Sequence, residues 1–106
     1  MTDFSNIVLI TDLDGTLLPH SKIVSTKDLD AIRCFKENGG IFTIATGRIL
    51  QAAEQFFDVL EPNAPVILNN GGLVYDIDKG ERLYSCFLAP EAVEYTIEMM
   101  KRFPDI

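Results

Sequence analysis

At 106 residues with 47% hydrophobic side chains, the chain carries enough apolar material for one compact domain. Its net charge of −7 argues against a nucleic-acid partner, because phosphate backbones recruit clustered Lys and Arg. A small phosphorylated ligand stays open, since a bound cation can reverse the local field. No apolar run approaches the roughly 20 residues that span a bilayer. The opening residues carry neither a basic n-region nor an apolar h-region, so the expectation is a cytoplasmic protein with no membrane partner. Cys34 and Cys86 then read as buried, reduced thiols.

In chain order, Ile7-Val8-Leu9-Ile10 is a short β-branched run ended by Thr11-Asp12, the pattern of a strand buried on both faces in a parallel sheet. A loop through Gly15, Pro19 and His20 follows, with His20 read as solvated. Ser25 then caps a helix with Asp28 at its third position. Leu29, Ile32 and Phe35 form its apolar stripe, and Gly39-Gly40 stops it. The residues from Ile41 to Ala45 make a second strand, and Thr46-Gly47 is its exit turn. A second helix is expected from about Arg48 to Leu60, and Val66-Ile67-Leu68 is a third strand. This alternation predicts an α/β fold with a parallel sheet of strands one to three and two crossover helices. After Asn69 the grammar changes. Leu73-Val74-Tyr75 and the run from Arg82 to Phe87 flank Asp78-Lys79-Gly80 as a β-hairpin. Pro90 opens a third helix that Pro104 ends, with Met99 and Met100 read as core filler.

Three strand ends carry chemistry. Asp12-Leu13-Asp14-Gly15-Thr16-Leu17 closes the first strand, where ligands of open α/β sheets bind. Two carboxylates so spaced can divide covalent work, one attacking an electrophile while the other moves a proton. Their mutual repulsion invites a bound Mg²⁺. Taken alone, a D-x-D would be an acidic turn capping backbone amides; the full hexapeptide after an apolar strand points to a site. Thr46-Gly47-Arg48 ends the second strand and offers a hydroxyl and free N–H groups at a helix start, which suits a phosphate. Asn69-Asn70-Gly71-Gly72 ends the third, with residues that accept positive φ.

Together these motifs resemble the haloacid dehalogenase superfamily, and the TGR and NGG forms are similar to its Cof-type (IIB) members. The resemblance implies a Rossmann-like three-layer core in residues 1–72, followed by the first hairpin and helix of a C2-type cap in residues 73–106. It implies Asp12 as the nucleophile that forms an aspartyl-phosphate and Asp14 as the general acid/base. Mg²⁺ would be held by the Asp12 carboxylate and the Asp14 backbone carbonyl. Gly15, Thr16, Thr46, Gly47, Arg48, Asn70 and Gly71 would bind phosphate or substrate. The activity so implied is a phosphatase for a small phosphorylated metabolite such as a sugar phosphate. A phosphomutase or phosphotransferase with the same nucleophile, or a non-catalytic interaction fragment, is the alternative. The superfamily's third-motif Lys and its GDxxxD-like segment have no counterpart in these 106 residues. The polypeptide by itself is therefore expected to be a poor phosphatase, with an exposed apolar sheet edge open to self-association.

Overall fold

The computed structural model describes residues 2–105. β1 (Val8–Thr11) lies parallel to β2 (Ile41–Ile44), with Val8 opposite Ile41 and Thr11 opposite Ile44. Between them runs α1 (Thr26–Glu37). Its N-cap is the expected one: Ser25 Oγ accepts from Asp28 N at 3.1 Å, satisfying an otherwise unpaired first-turn donor. At the other end the Asn38 side chain donates to Cys34 O at 2.7 Å and closes the last turn.

The second helix departs from the single element expected from Arg48 to Leu60. It begins at Leu50 and divides into α2 (Leu50–Ala53), a 3₁₀ turn (Glu54–Phe56) and α3 (Phe57–Leu60). The late start follows from Arg48, whose N–H is taken by Thr46 Oγ1 and whose C=O is taken by Asn69 N. The division falls where two side chains compete for one carbonyl. Arg48 Nη1 and Gln55 Nε2 both donate to Ala52 O, at 3.2 and 3.1 Å, which weakens the regular ladder there.

β3 (Val66–Leu68) meets β2 by a single parallel bridge between Ala45 and Ile67, and pairs antiparallel with β4 (Leu73–Asp76). Pro62 and Pro65 cannot donate to a ladder, and side chains add to the few backbone bonds there, Asn63 N to Phe42 O and Thr46 N to Ile67 O. Asn63 Oδ1 accepts from Phe42 N at 2.7 Å, and Thr43 Oγ1 donates to Pro65 O at 2.7 Å. β4 continues the hairpin to β5 (Glu81–Ser85), and α4 (Pro90–Arg102) closes the described chain with Pro90 in its first turn.

The core gathers Leu13, Leu18, Phe42, Ile44, Leu60, Val66 and Leu68, all essentially inaccessible. Three expectations are corrected. β1 is not buried on both faces: Val8 and Ile10, which share one face of the strand, are 56% and 50% exposed, because no described element packs over that face. Cys34 and Cys86 are free thiols as expected, but both are exposed. Met100 is exposed on α4 rather than packed in a core. The radius of gyration, 17.3 Å, exceeds the roughly 13 Å of a compact domain of this length, since β5 and α4 bury no residue against the core. No described helix is long and apolar enough to cross a membrane.

Leu13 sits in the core while both flanking acids are exposed. Leu13→Ala is expected to cost about 2–5 kcal/mol, read as a lower urea midpoint. Val59→Ala, at a half-exposed position, should change stability by no more than about 0.5 kcal/mol. Equal shifts for the two variants would contradict the placement of Leu13.

Candidate active site

The first strand ends in a tight turn. Leu13 O accepts from Thr16 N and Leu18 N, at 3.2 and 2.8 Å, and Gly15 N donates to Leu18 O at 3.0 Å. Gly15 holds φ at +81°, a conformation that side-chain-bearing residues resist. With Leu13 and Leu18 as buried pegs, the turn exposes Asp12 and Asp14.

Asp12 lines a cavity of about 300 Å³ together with Ala45, Thr46, Gly47, Ile67, Asn70 and Gly71. The ends of all three parallel-type strands therefore contribute to one recess. Asp12 Oδ1 accepts from Leu13 N at 2.7 Å, and Oδ2 has no hydrogen-bond partner among the described residues. Thr46 is buried, and its Oγ1 accepts from Arg48 N at 3.1 Å. Because the hydroxyl is used there as an acceptor, its own hydrogen stays available to donate into the cavity.

Gly47 leaves room for its neighbour: a Cβ at that position would lie 2.8 Å from Asn70 Oδ1, so a larger residue would displace the Asn70 side chain. The two turns are laced by the backbone, with Asn69 N donating to Arg48 O and Asn70 N to Thr46 O, both at 3.1 Å. Asn69, Asn70 and Gly71 are consecutively left-handed, at φ 52°, 54° and 96°. Such residues cost of order 1 kcal/mol or more when not glycine, and the lacing keeps them there. The positive φ expected at Asn70 and Gly71 is thus present, and it extends to Asn69.

Asp14 is not in that recess. Its carboxylate is clasped from two sides. Arg48 donates through Nε to Oδ2 and through Nη2 to Oδ1, each at 2.8 Å, and Lys22 Nζ donates to Oδ1 at 2.9 Å. The fork of Arg48, and after it Lys22, holds the Asp14 carboxyl well below the usual carboxylate range. The same pairing pushes the Arg48 guanidinium up. The guanidinium also lies 5.0 Å from the centre of the Phe56 ring, a cation–π contact that fixes its plane. Thr16 is exposed in the turn, and Gly15 lines a second recess with Leu18, Pro19, His20 and Lys22. Neither borders the cavity of Asp12.

Lys22 escaped the sequence reading, because a lone lysine eight residues beyond a carboxylate in a loop has no spacing signature. The paired acids were the available signal, since they call for nearby cations. For a metal, the donors on offer are hard oxygens, the Asp12 carboxylate and the Asp14 carbonyl, which suit Mg²⁺. They amount to part of a shell: among the described residues no three His, Cys, Asp or Glu side chains converge.

Comparison with known proteins bears on this geometry. A family model described as haloacid dehalogenase-like hydrolase matches residues 9–104. The 5-amino-6-(5-phospho-D-ribitylamino)uracil phosphatase YwtE of Bacillus subtilis is 38% identical over 74 residues, covering 70% of this chain and 24% of that protein. Pyridoxal phosphate phosphatase YbhA of Escherichia coli is 36% identical over 69 residues, covering 65% of this chain and 25% of that protein. The solved structure of BT1666 from Bacteroides thetaiotaomicron, a phosphatase of the haloalkanoate (HAD) enzyme superfamily, superposes with a TM-score of 0.80 at 28% identity. It covers 92% of this chain and 36% of that one. The chain spans between 24% and 35% of the length of the curated relatives it matches. With three strand ends converging on one recess, an α/β fold shared with Rossmann-like phosphatases and a match along nearly its whole length, the chain belongs to the haloacid dehalogenase-like hydrolases.

Proposed function

We propose that this chain carries the nucleophile-bearing part of a Cof-type phosphatase for small phosphorylated metabolites such as sugar phosphates, acting through an aspartyl-phosphate at Asp12. The observation that carries the reading is the shared recess of Asp12, Thr46 and Gly47 at the ends of neighbouring strands. The names of YwtE and YbhA, each a phosphatase of a phosphorylated small molecule, support the substrate class.

In this scheme an Asp12 carboxylate oxygen attacks phosphorus and the bond to the leaving oxygen breaks. Thr46 donates its hydroxyl hydrogen to a phosphoryl oxygen, and the Gly47 and Arg48 turn supplies polar groups around it. Asp14 gives its proton to the leaving oxygen, then takes one from the water that attacks phosphorus and restores the Asp12 carboxylate. Mg²⁺ on the Asp12 carboxylate and the Asp14 carbonyl would neutralise charge on the phosphoryl oxygens. Asn70 and Gly71 border the substrate side of the recess. The clasped, ionised Asp14 corresponds to the base form, ready for the water step. Donation to a leaving group requires that the clasp loosen as substrate enters.

We also read residues 1–72 as part of the hydrolase core and residues 73–106 as the beginning of a cap, a division supported by the exposure of β5 and α4. A cytoplasmic location agrees with two free, exposed thiols and a metabolite substrate. The uncovered edge of β1, with Val8 and Ile10 half exposed, suits pairing with a second copy.

Three measurements test these readings. With Mg²⁺ and beryllium fluoride, the chain should give a bound ¹⁹F signal that Asp12→Asn abolishes; a signal that survives the substitution would remove Asp12 from the nucleophile's role. Arg48→Met should raise the Asp14 pKa toward the ordinary carboxylate value, followed by its carboxyl ¹³C shift against pH. An unmoved titration would mean that the Arg48 fork does not hold the acid. Sedimentation at rising concentration should show dimer, and Ile10→Lys should return the monomer; monomer throughout would contradict pairing at β1.

A further inference from the structure

Resting on the reading of Asp12 as a phosphatase nucleophile, we propose that the recess beside Asp14 is a second anion subsite. It takes a carboxylate or a second phosphate carried on the leaving part of the substrate. The recess measures about 300 Å³ and is lined by Gly15, Leu18, Pro19, His20 and Lys22. In a chain of net charge −7, that lining holds a lysine, the single histidine and no carboxylate. The Lys22 ammonium spends one N–H on Asp14 Oδ1, at 2.9 Å, and keeps two for a ligand. The His20 imidazole carries at least one ring N–H in either protonation state.

The place of the recess suits the leaving part of a substrate rather than the transferring phosphoryl group. Asp14 stands between two recesses. Its partner Arg48 follows Gly47, which lines the recess of Asp12, and its partner Lys22 lines the second. A phosphate ester seated on Asp12 therefore meets the second recess through its organic part, past Asp14. Two cations flank the one carboxylate there, so the approach attracts an anion rather than repelling it. The loop backbone supports the subsite independently. Lys22 sits at φ +58°, uncommon for a long side chain, and its N–H donates to Pro19 O at 2.9 Å. The loop thus closes on itself at the recess. Buried Leu18 and Val24 anchor it, while Pro19 to Ile23 stay exposed and leave the recess open to solvent. An anion bound there shares the Lys22 ammonium with Asp14, which gives the clasp a way to loosen as substrate enters.

The test titrates the 106-residue chain with three ligands in the presence of Mg²⁺ at one fixed pH, followed by NMR. Glucose 6-phosphate has an uncharged leaving part, 6-phosphogluconate a carboxylate there, and fructose 1,6-bisphosphate a second phosphate. All three should move the Thr46 and Gly47 amide signals. The two ligands with a second anionic group should also move the His20 ring and Lys22 side-chain signals. They should bind about two- to five-fold more tightly than glucose 6-phosphate, the range for an exposed ion pair. Lys22→Asn suits the left-handed backbone, so it removes the cation without forcing a misfold, and it should erase that preference. Lys22→Arg should keep it. A response to only one of the two ligands supports the subsite and identifies the group it prefers. No shift at His20 and Lys22 with either, equal shifts there with glucose 6-phosphate, or a preference that survives Lys22→Asn would overturn the proposal. Shifts at Thr46 and Gly47 without any at His20 sink the subsite alone, whereas Thr46 and Gly47 unmoved by every ligand would sink the phosphatase reading beneath it.

Discussion

Two carboxylates two residues apart repel each other, and the turn after β1 separates them by burying the leucine between them. Leu13 is fully inside the core, and Gly15 reverses the chain at a φ of +81°. As a result Asp12 borders the recess with Thr46, while Asp14 leaves it for Arg48 and Lys22. The separation gives the two acids opposite surroundings. One keeps an oxygen without a hydrogen-bond partner among the described residues, and the other is held ionised by a guanidinium and an ammonium. Environments that differ this way are how identical side chains take different chemical roles. The pairing of Asp14 is also exposed, so its force comes from geometry, a bidentate fork plus a third donor, rather than from burial.

The remaining architecture serves to hold three strand ends together. β1 and β2 are in parallel register, which brings Thr11 beside Ile44 and Asp12 near Thr46. The third strand end is fastened differently. A single bridge joins β2 to β3, and the hydrogen bonds of Asn63 and Thr43 add to it beside Pro62 and Pro65, which cannot donate to a ladder. Two backbone bonds then lace the turn at residues 46–48 to that at 69–70. Three consecutive left-handed residues at that junction are a local cost, which the lacing offsets. Strain concentrated beside a recess and absent from the rest of the sheet fits a site in which backbone direction matters.

Much of this was legible in the sequence, for physical reasons that differ by element. The β-branched run of Ile7 to Ile10 and the Ser25 cap announce their elements locally, and the strand-end position of Asp12, Thr46 and Asn70 follows from α/β grammar. What escaped depends on contacts distant in sequence. The broken second helix reflects competition for Ala52 O by Arg48 and Gln55, which periodicity does not record. The exposure of Met100 reflects what lies beside it, and an apolar pattern reports only a preference for burial. The clasp on Asp14 needs Arg48 from 34 residues away, and the Lys22 contribution depends on a left-handed backbone at a residue type that rarely adopts one.

The central claim is that the Asp12 carboxylate takes a phosphoryl group. Incubation of the chain with acetyl phosphate and Mg²⁺, followed by borohydride reduction and peptide mapping by mass spectrometry, tests it most directly. The account predicts reduction of a single side chain, Asp12, lost on Asp12→Asn and retained in Lys22→Met. Reduction at Asp14 instead, or release of phosphate with no residue reduced, would contradict it.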